Sequence, residues 1–279
     1  MTDYVRLPGL RCVRYEVALN GWRILKHTVN DFSLWRLIEY PWVTKQLQLK
    51  PGDLVFDIGT GTSSYPHMLA REGVNVVVLE LEHERVRWQQ QKYDTKGRRG
   101  DGMVYPVVAD ATALPLPDGT VQHISAISSL EHIPDDHAVG HEIGRVLAEN
   151  GIVIITIPYT RSERTHFFEA IKPFRQVERN AFVQEGKLGS FFRFYNDQDI
   201  IETYVEPAHA QVTAWRGFGR RVLNGMYHET RCNRYWRRWV LKDWLLAQIV
   251  HPLEERFGTA TEPLYVMFKM EPCLKDQGL

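Results

Sequence analysis

Three acids and two glycines fall at spacings that suit a bound ligand. Asp57 closes the apolar run "LVFDIG" and is followed by Gly59-Thr60-Gly61 and a helix-forming segment. Glu80 closes a second apolar run, "VNVVVLE", and Asp110 a third, "MVYPVVAD". A Gly-x-Gly turn between a strand and a helix lets backbone approach a ligand closely. A phosphate-cradling loop would need Gly-Lys-Ser/Thr after the first glycine, which this chain lacks. A dinucleotide fingerprint asks for a further glycine where Ser64 stands. Charge separates the readings more sharply. The Asp57 carboxylate would repel a pyrophosphate seated at the helix N-terminus, and would attract a cationic group instead. Glu80 is placed to accept from both hydroxyls of a ribose, and Asp110 from the exocyclic amine of an adenine.

The elements that must carry these residues follow from hydrophobic periodicity. Residues 12 to about 48 read as helical, with Pro41 breaking the run, and "LKPGD" as a turn. Strands are expected at "LVFDIG", "VNVVVLE", "MVYPVVAD", "VQHISAIS" and "IVIITIP". The helices between them are "SYPHMLAREG", "HERVRWQQQKY" and "DDHAVGHEIGRVLA", the last stopped at Asn150-Gly151. Further on, "NDQDIIETYVE" is a helix capped by Asn196 or Asp197, and "AQVTAWRGF" and "PLYVMFKME" are two more strands. This alternation predicts an α/β, doubly wound, seven-stranded and mostly parallel sheet, with N-terminal helices and a late helical insertion. The organisation expected is a helical lid over 1–48 and a core over 49–271, with insertions at about 159–195 and 220–257 and a tail over 272–279.

The segments "VFDIGTGTS", "VVVLELE", "VVADATALPLPDGTVQHISAISSLEHIPD" and "RVLAENGIVIITIP" occur in order over roughly residues 50 to 160. As a set they resemble the class I S-adenosylmethionine-dependent methyltransferases, closest to the small-molecule branch that includes the ubiquinone-biosynthesis enzymes. The resemblance implies a Rossmann-like fold whose last strand runs antiparallel, with S-adenosyl-L-methionine as cofactor. It implies that Asp57, Gly59, Thr60 and Gly61 face the methionine end and that Glu80, with Leu81 beside it, takes the ribose. It implies Asp110 and Ala111 at the adenine and Ser128 on the floor beside the sulfonium. Ser63 stands where the family pattern has its third loop glycine. The activity implied is methyl transfer to a small-molecule or lipid- or glycan-linked acceptor, with oxygen favoured because hydroxyls are common acceptors in this branch. The other reading is a non-catalytic protein of the same fold that holds a partner, and the three intact acids argue against it.

Methyl transfer from a sulfonium needs alignment and exclusion of water more than covalent help. A base is required chiefly for a hydroxyl acceptor. "SSLEHIPDD" sets Glu131 and His132 near the reactive end: His132 either accepts a proton or binds substrate, or the two residues pair to fix their loop. Tyr159, Arg161, Arg164 and His166 follow the fifth strand, and Arg193 and Tyr195 lie on a further expected rim of the acceptor pocket. Arginine there suits a carboxylate or phosphate. His137 and His141, one helical turn apart, do not by themselves indicate a metal, and Asp136 and His137 are expected on a surface helix.

The chain has 279 residues, with 34 basic and 34 acidic side chains, so its global charge argues for neither nucleic acid nor an acidic partner. Its three cysteines (Cys12, Cys232, Cys273) are far apart, which speaks against a disulfide framework and for a reducing, cytoplasmic setting. No apolar run is long enough for a membrane span. From the sixth strand into the stretch before the seventh, residues 211–250 hold eight Lys/Arg against two Asp/Glu, with Tyr235, Trp236 and Trp239 among them. Three roles for the 220–257 stretch stay open: a helix packed on its own domain, a homodimer or partner interface, and a peripheral membrane or lipid-linked-acceptor surface.

Overall fold

The computed structural model of the chain describes residues 4–20, 34–97, 100–161, 174–178, 181–185, 191–218, 263 and 265–273. Ten strands and six α-helices carry the described fold. Strands β1 (Leu54–Ile58), β2 (Asn75–Glu80), β3 (Val104–Val108), β4 (Val121–Ile127) and β5 (Leu147–Pro158) are the apolar runs of the sequence. With β9 (Ala210–Phe218) and β10 (Tyr265–Pro272) they form one seven-stranded sheet in the order β3-β2-β1-β4-β5-β10-β9. The first five are parallel, and β10 runs antiparallel to both its neighbours. Parallel strands covered on both faces need apolar residues at consecutive positions. Accordingly Val153, Ile154, Ile155 and Ile157 of β5 are all fully buried.

Helices α1 (Gly9–Asn20), α2 (Leu34–Leu47) and α3 (Tyr65–Arg71) build the core on one face, where Leu37, Ile38, Val43, Leu69, Ile154 and Met267 meet. Helix α5 (Asp136–Val146) and α6 (Asp197–Ile200) build the other, over Val139, Ile143, Ile155 and Phe268. Helix α4 (His83–Lys92) follows β2. Strand order reverses between β2 and β4 on either side of β1, so the end of β1 is the switch point where such sheets hold ligands.

Two boundaries and one burial differ from the sequence expectation. Pro41 lies inside α2 instead of ending it. Its neighbours Tyr40, Trp42 and Val43 are buried, so tertiary packing retains a helix that local preference would interrupt. Helix α5 ends at Val146, and Asn150-Gly151 falls within β5, where the pairing with β4 shifts register. Asp136 is buried at 3% exposure, not on a solvated helix face. The region expected as an insertion at 159–195 contributes a small antiparallel sheet of β6 (Phe174–Glu178), β7 (Ala181–Gln184) and β8 (Phe191–Arg193). Asn196 caps α6 as expected, in a reciprocal capping box with Asp199. The 220–257 stretch and the helix expected there lie outside the described residues. Among the described helices none is long and apolar enough to cross a membrane.

Candidate functional site

The turn after β1 is held from every side. Asp57 is 3% exposed; its Oδ1 accepts from Ser125 Oγ at 2.5 Å, and its Oδ2 accepts from Thr60 Oγ1. Gly59 and Gly61 adopt φ of 70° and 60°, the left-handed region where a side chain is strained. Ser129 packs beneath Gly59 and donates to the Ile58 carbonyl at 2.7 Å. Glu80 Oε1 accepts the Gly61 amide, while Gln89 of α4 donates to the carbonyls of Gly61 and Ser63 at 2.9 and 3.0 Å. Beyond Gly61 the packing is loose: a Cβ there would meet only Arg85 Nη1 at 3.7 Å and Glu80 Oε1 at 4.0 Å.

Two carboxylates are therefore buried at the switch point. Burial pushes Asp57 up to about 6 against the pull of its hydroxyl donors, and Glu80 raises it further. Burial likewise raises Glu80, opposed first by the Gly61 amide. A pair of desolvated acids beside a Gly-x-Gly turn is tuned for a cationic ligand that approaches the backbone closely, and repels an anionic one. The two carboxylates fit an ammonium, a sulfonium and a ribose diol, with the Arg85 guanidinium nearby bearing on Glu80. At the end of β3, Asp110 is exposed and accepts from Thr112 N and Oγ1 at 2.9 and 2.7 Å, which holds it below the ordinary carboxylate range. Ala111 is half-buried next to it, and Leu81 is 65% exposed after β2, so the edge beside Glu80 presents an apolar ledge.

At the end of β4, Ser128 has φ 47°, a left-handed conformation rare for serine and costing about 1–2 kcal/mol. Its amide donates to Thr156 O at 2.9 Å, and its hydroxyl donates to Glu39 Oε1 at 2.8 Å. Thr156 Oγ1 donates to that same Glu39 oxygen at 2.7 Å, and Arg36 pairs with Glu39 Oε2 at 2.6 Å. Tyr40, next along α2, bonds Ser63 of the glycine turn at 2.7 Å. Sequence reasoning missed Arg36, Glu39 and Tyr40. The signal available was a glutamate set between apolar residues in "LWRLIEYPW", which a buried helix does not tolerate without partners.

Glu131 and His132 follow in a short turn, Leu130–His132. Glu131 is buried, whereas His132 is half-exposed and bonded through Nδ1 to the Phe191 carbonyl at 2.8 Å. The other residues expected at the acceptor rim are placed as follows. Tyr195 is fully buried and donates to Asp136 Oδ2 at 2.8 Å, with Tyr204 bonded to its hydroxyl. Arg193 forms an ion pair with the same Asp136. The two residues thus tie β8 and the following chain to α5 through the buried Asp136. Tyr159 donates to Asp197 at 2.7 Å, and with Arg161, Asp197, Trp215 and Pro263 it lines a cavity of about 230 Å³ at the β5–β9 end of the sheet. Arg164 and His166 lie outside the described residues. Among the described residues no cluster of three or more His, Cys, Asp or Glu is arranged to hold a metal.

Comparison with known proteins gives a consistent family. The family model described as "Methyltransferase domain" matches residues 56–155. The chain is similar to a demethylmenaquinone methyltransferase of Clavibacter sepedonicus, 24% identical over 192 residues, covering 65% of this chain and 73% of that protein. It is also similar to a 2-methyl-6-phytyl-1,4-hydroquinone methyltransferase of Synechocystis, 30% identical over 117 residues, covering 42% of this chain and only 35% of the relative. Among solved structures, an S-adenosylmethionine-dependent methyltransferase from Methanosarcina mazei superposes with a TM-score of 0.58 at 15% identity, over 85% of this chain and 99% of that one. At such identity the likeness shows the fold.

Proposed function

We propose that this chain, a member of the class I S-adenosylmethionine-dependent methyltransferases, transfers the methyl group to the hydroxyl oxygen of a small-molecule acceptor. The observation that carries the reading is the pair of buried carboxylates, Asp57 and Glu80, around the Gly59–Gly61 turn at the switch point of the sheet. S-adenosylmethionine is the cofactor of the family and brings an activated methyl on a sulfonium, so the chain itself need only bind, align and keep out water. In this reading Glu80 takes the ribose hydroxyls, and Leu81, Asp110 and Ala111 frame the adenine. Asp57 acts chiefly by holding Thr60 and the turn, since both its oxygens already accept hydroxyls. Ser128 stands beside the transferred methyl, its strained backbone in keeping with a functional position.

Two relatives bear the names of enzymes of quinone and hydroquinone methylation, which favours a second reading in which the methyl goes to a ring carbon beside a hydroxyl. Both readings share the cofactor site and a hydroxylated acceptor. Calorimetric titration with S-adenosylhomocysteine, with NAD as control and Glu80→Ala alongside, tests the common part. Binding that the variant loses supports it, and a folded chain that fails to bind S-adenosylhomocysteine refutes it. Fragment masses of the product formed from a methoxy-free hydroquinone then separate oxygen from carbon.

A further inference from the structure

We propose that Glu131 is the proton acceptor of the reaction, and that the acceptor substrate therefore carries an acidic hydroxyl, phenolic or enolic. The inference rests on the methyltransferase reading above and names the group and substrate class that reading leaves open. Glu131 leaves the end of β4 within three residues of Ser128, on the ligand-holding edge of the sheet. It is 2% exposed, and its Oε2 makes no hydrogen bond. A buried carboxyl oxygen left without a donor costs of the order of a kcal/mol or more and is rare in folded proteins. Such a group persists where a partner arrives with the substrate.

Its surroundings narrow what that partner is. The charges of Arg36 and Glu39 on α2 bear on it, and its own charge raises Tyr265 of β10 and Tyr204 of the turn after α6. His132 Nε2 lies 4.0 Å from Oε1. Glu39 and Arg36 are already joined to each other, so among the described residues bearing on Glu131 there are two carboxylates, its own included, against one guanidinium. An anionic acceptor would be repelled there. A neutral amine has a free electron pair and needs no base before transfer. A phenol or enol fits, because its proton must leave as its nucleophilicity develops. Burial, reinforced by Glu39, places the Glu131 carboxyl at about 8, and a base is most effective when its affinity for protons lies near the working pH.

The step balances without an added reagent. An electron pair of the deprotonating hydroxyl group attacks the methyl carbon directly, or through the conjugated ring carbon. The carbon–sulfur bond breaks and its pair stays on sulfur, giving S-adenosylhomocysteine, while the hydroxyl proton passes to Glu131 Oε2.

The test uses the full chain with S-adenosylmethionine and four probes: catechol, 2-methyl-1,4-hydroquinone, a 1,3-diketone and aniline, following S-adenosylhomocysteine formation. Methylation of at least one hydroxylated probe is expected, with kcat/KM rising with pH and levelling above about 8. Glu131→Gln should lower that rate by about 100-fold or more and abolish the inflection, while Glu131→Asp recovers part of it. Both variants should bind S-adenosylhomocysteine as the wild type does, which shows that they fold. A Glu131→Gln enzyme with wild-type rate and pH profile overturns the proposal. So does a chain that binds S-adenosylhomocysteine yet methylates only aniline, or none of the probes. Loss of S-adenosylhomocysteine binding in the wild type would instead strike the methyltransferase reading itself.

Discussion

Replacing Gly59 by alanine measures how firmly the ligand turn is clamped. Two costs add at this position. Its φ of 70° is left-handed, which an alanine adopts at about 1–2 kcal/mol. The new Cβ would also fall 2.6 Å from Cβ of Ser129, a separation that forces Ser129 to move. Ser129 cannot move without stretching its 2.7 Å bond to the Ile58 carbonyl, a buried bond worth about 1 kcal/mol net and more when its acceptor is stranded. The total is about 2–4 kcal/mol. Gly119 supplies the control, because its φ is 65° but nothing lies within 4 Å of a Cβ built there. Gly119→Ala should therefore lose only the backbone part, about 1–2 kcal/mol. Urea unfolding reads both variants as shifts of midpoint at constant slope. Calorimetry should show S-adenosylhomocysteine binding weakened in Gly59→Ala and intact in Gly119→Ala. Equal destabilisation of the two, with equal binding, would refute the clamp.

Other consequences follow from the buried polar groups. Glu39→Ala removes the acceptor of Ser128 and Thr156 and breaks the buried ion pair with Arg36; a loss of about 3–5 kcal/mol is expected in chemical denaturation, with Glu39→Gln milder. Asp57 holds its proton up to about 6 in the folded chain, from an ordinary value of 3.8. The folded state thus binds more protons between those values, so this group's contribution to stability is greatest at low pH and falls as pH rises through about 6. Urea midpoints followed against pH should show that decline in the wild type and a flatter line in Asp57→Asn. Lys92 donates to Ser64 at 2.6 Å and its charge restrains buried Glu16, which burial pushes up to about 7. Lys92→Met should therefore lose more stability above pH 7 than below it, checked by thermal melts on either side.

The parts of this molecule that were legible in the sequence are those where local pattern and tertiary demand agree. Strands β2 and β5 stand out because both faces are covered, which forces continuous apolar runs such as Val76–Leu79, whereas β3 keeps its apolar run although Tyr105, Val107 and Val108 are exposed. Asn196 was legible because a cap is settled within four residues. Pro41 misled because its cost is local while the burial that outweighs it, at Tyr40 and Val43, comes from the sheet. Arg193 and Tyr195 read as loop residues with free chemistry; their partner Asp136 is remote in sequence, and its burial shows only in three dimensions. Glu39 escaped for the same reason, since its bonds span 89 and 117 residues to Ser128 and Thr156.

That last separation has a consequence for how the site is assembled. Along α2, Glu39 holds the ends of β4 and β5, Tyr40 holds Ser63 of the glycine turn, and Thr44 meets the Tyr65 hydroxyl at the start of α3 at 3.0 Å. Three side chains of one helix thus reach the floor, the turn and the helix that follows the turn. The same helix is anchored by Leu37, Ile38, Val43 and Leu47, all buried in the core that Met68, Leu69 and Ile154 complete. A helix tied so to both the hydrophobic core and the polar edge cannot shift by a few tenths of an ångström without breaking several buried bonds at once. The geometry of Ser128 and the glycine turn is therefore set jointly by the sheet and by α2. Substitutions at Glu39 and at Tyr40 should accordingly be non-additive, because each leaves the other's bond to hold the same helix. A double-mutant cycle of Glu39→Gln with Tyr40→Phe, read by S-adenosylhomocysteine affinity, should show a coupling of about 0.5–3 kcal/mol. Simple additivity would mean that the floor and the turn are positioned independently of one another.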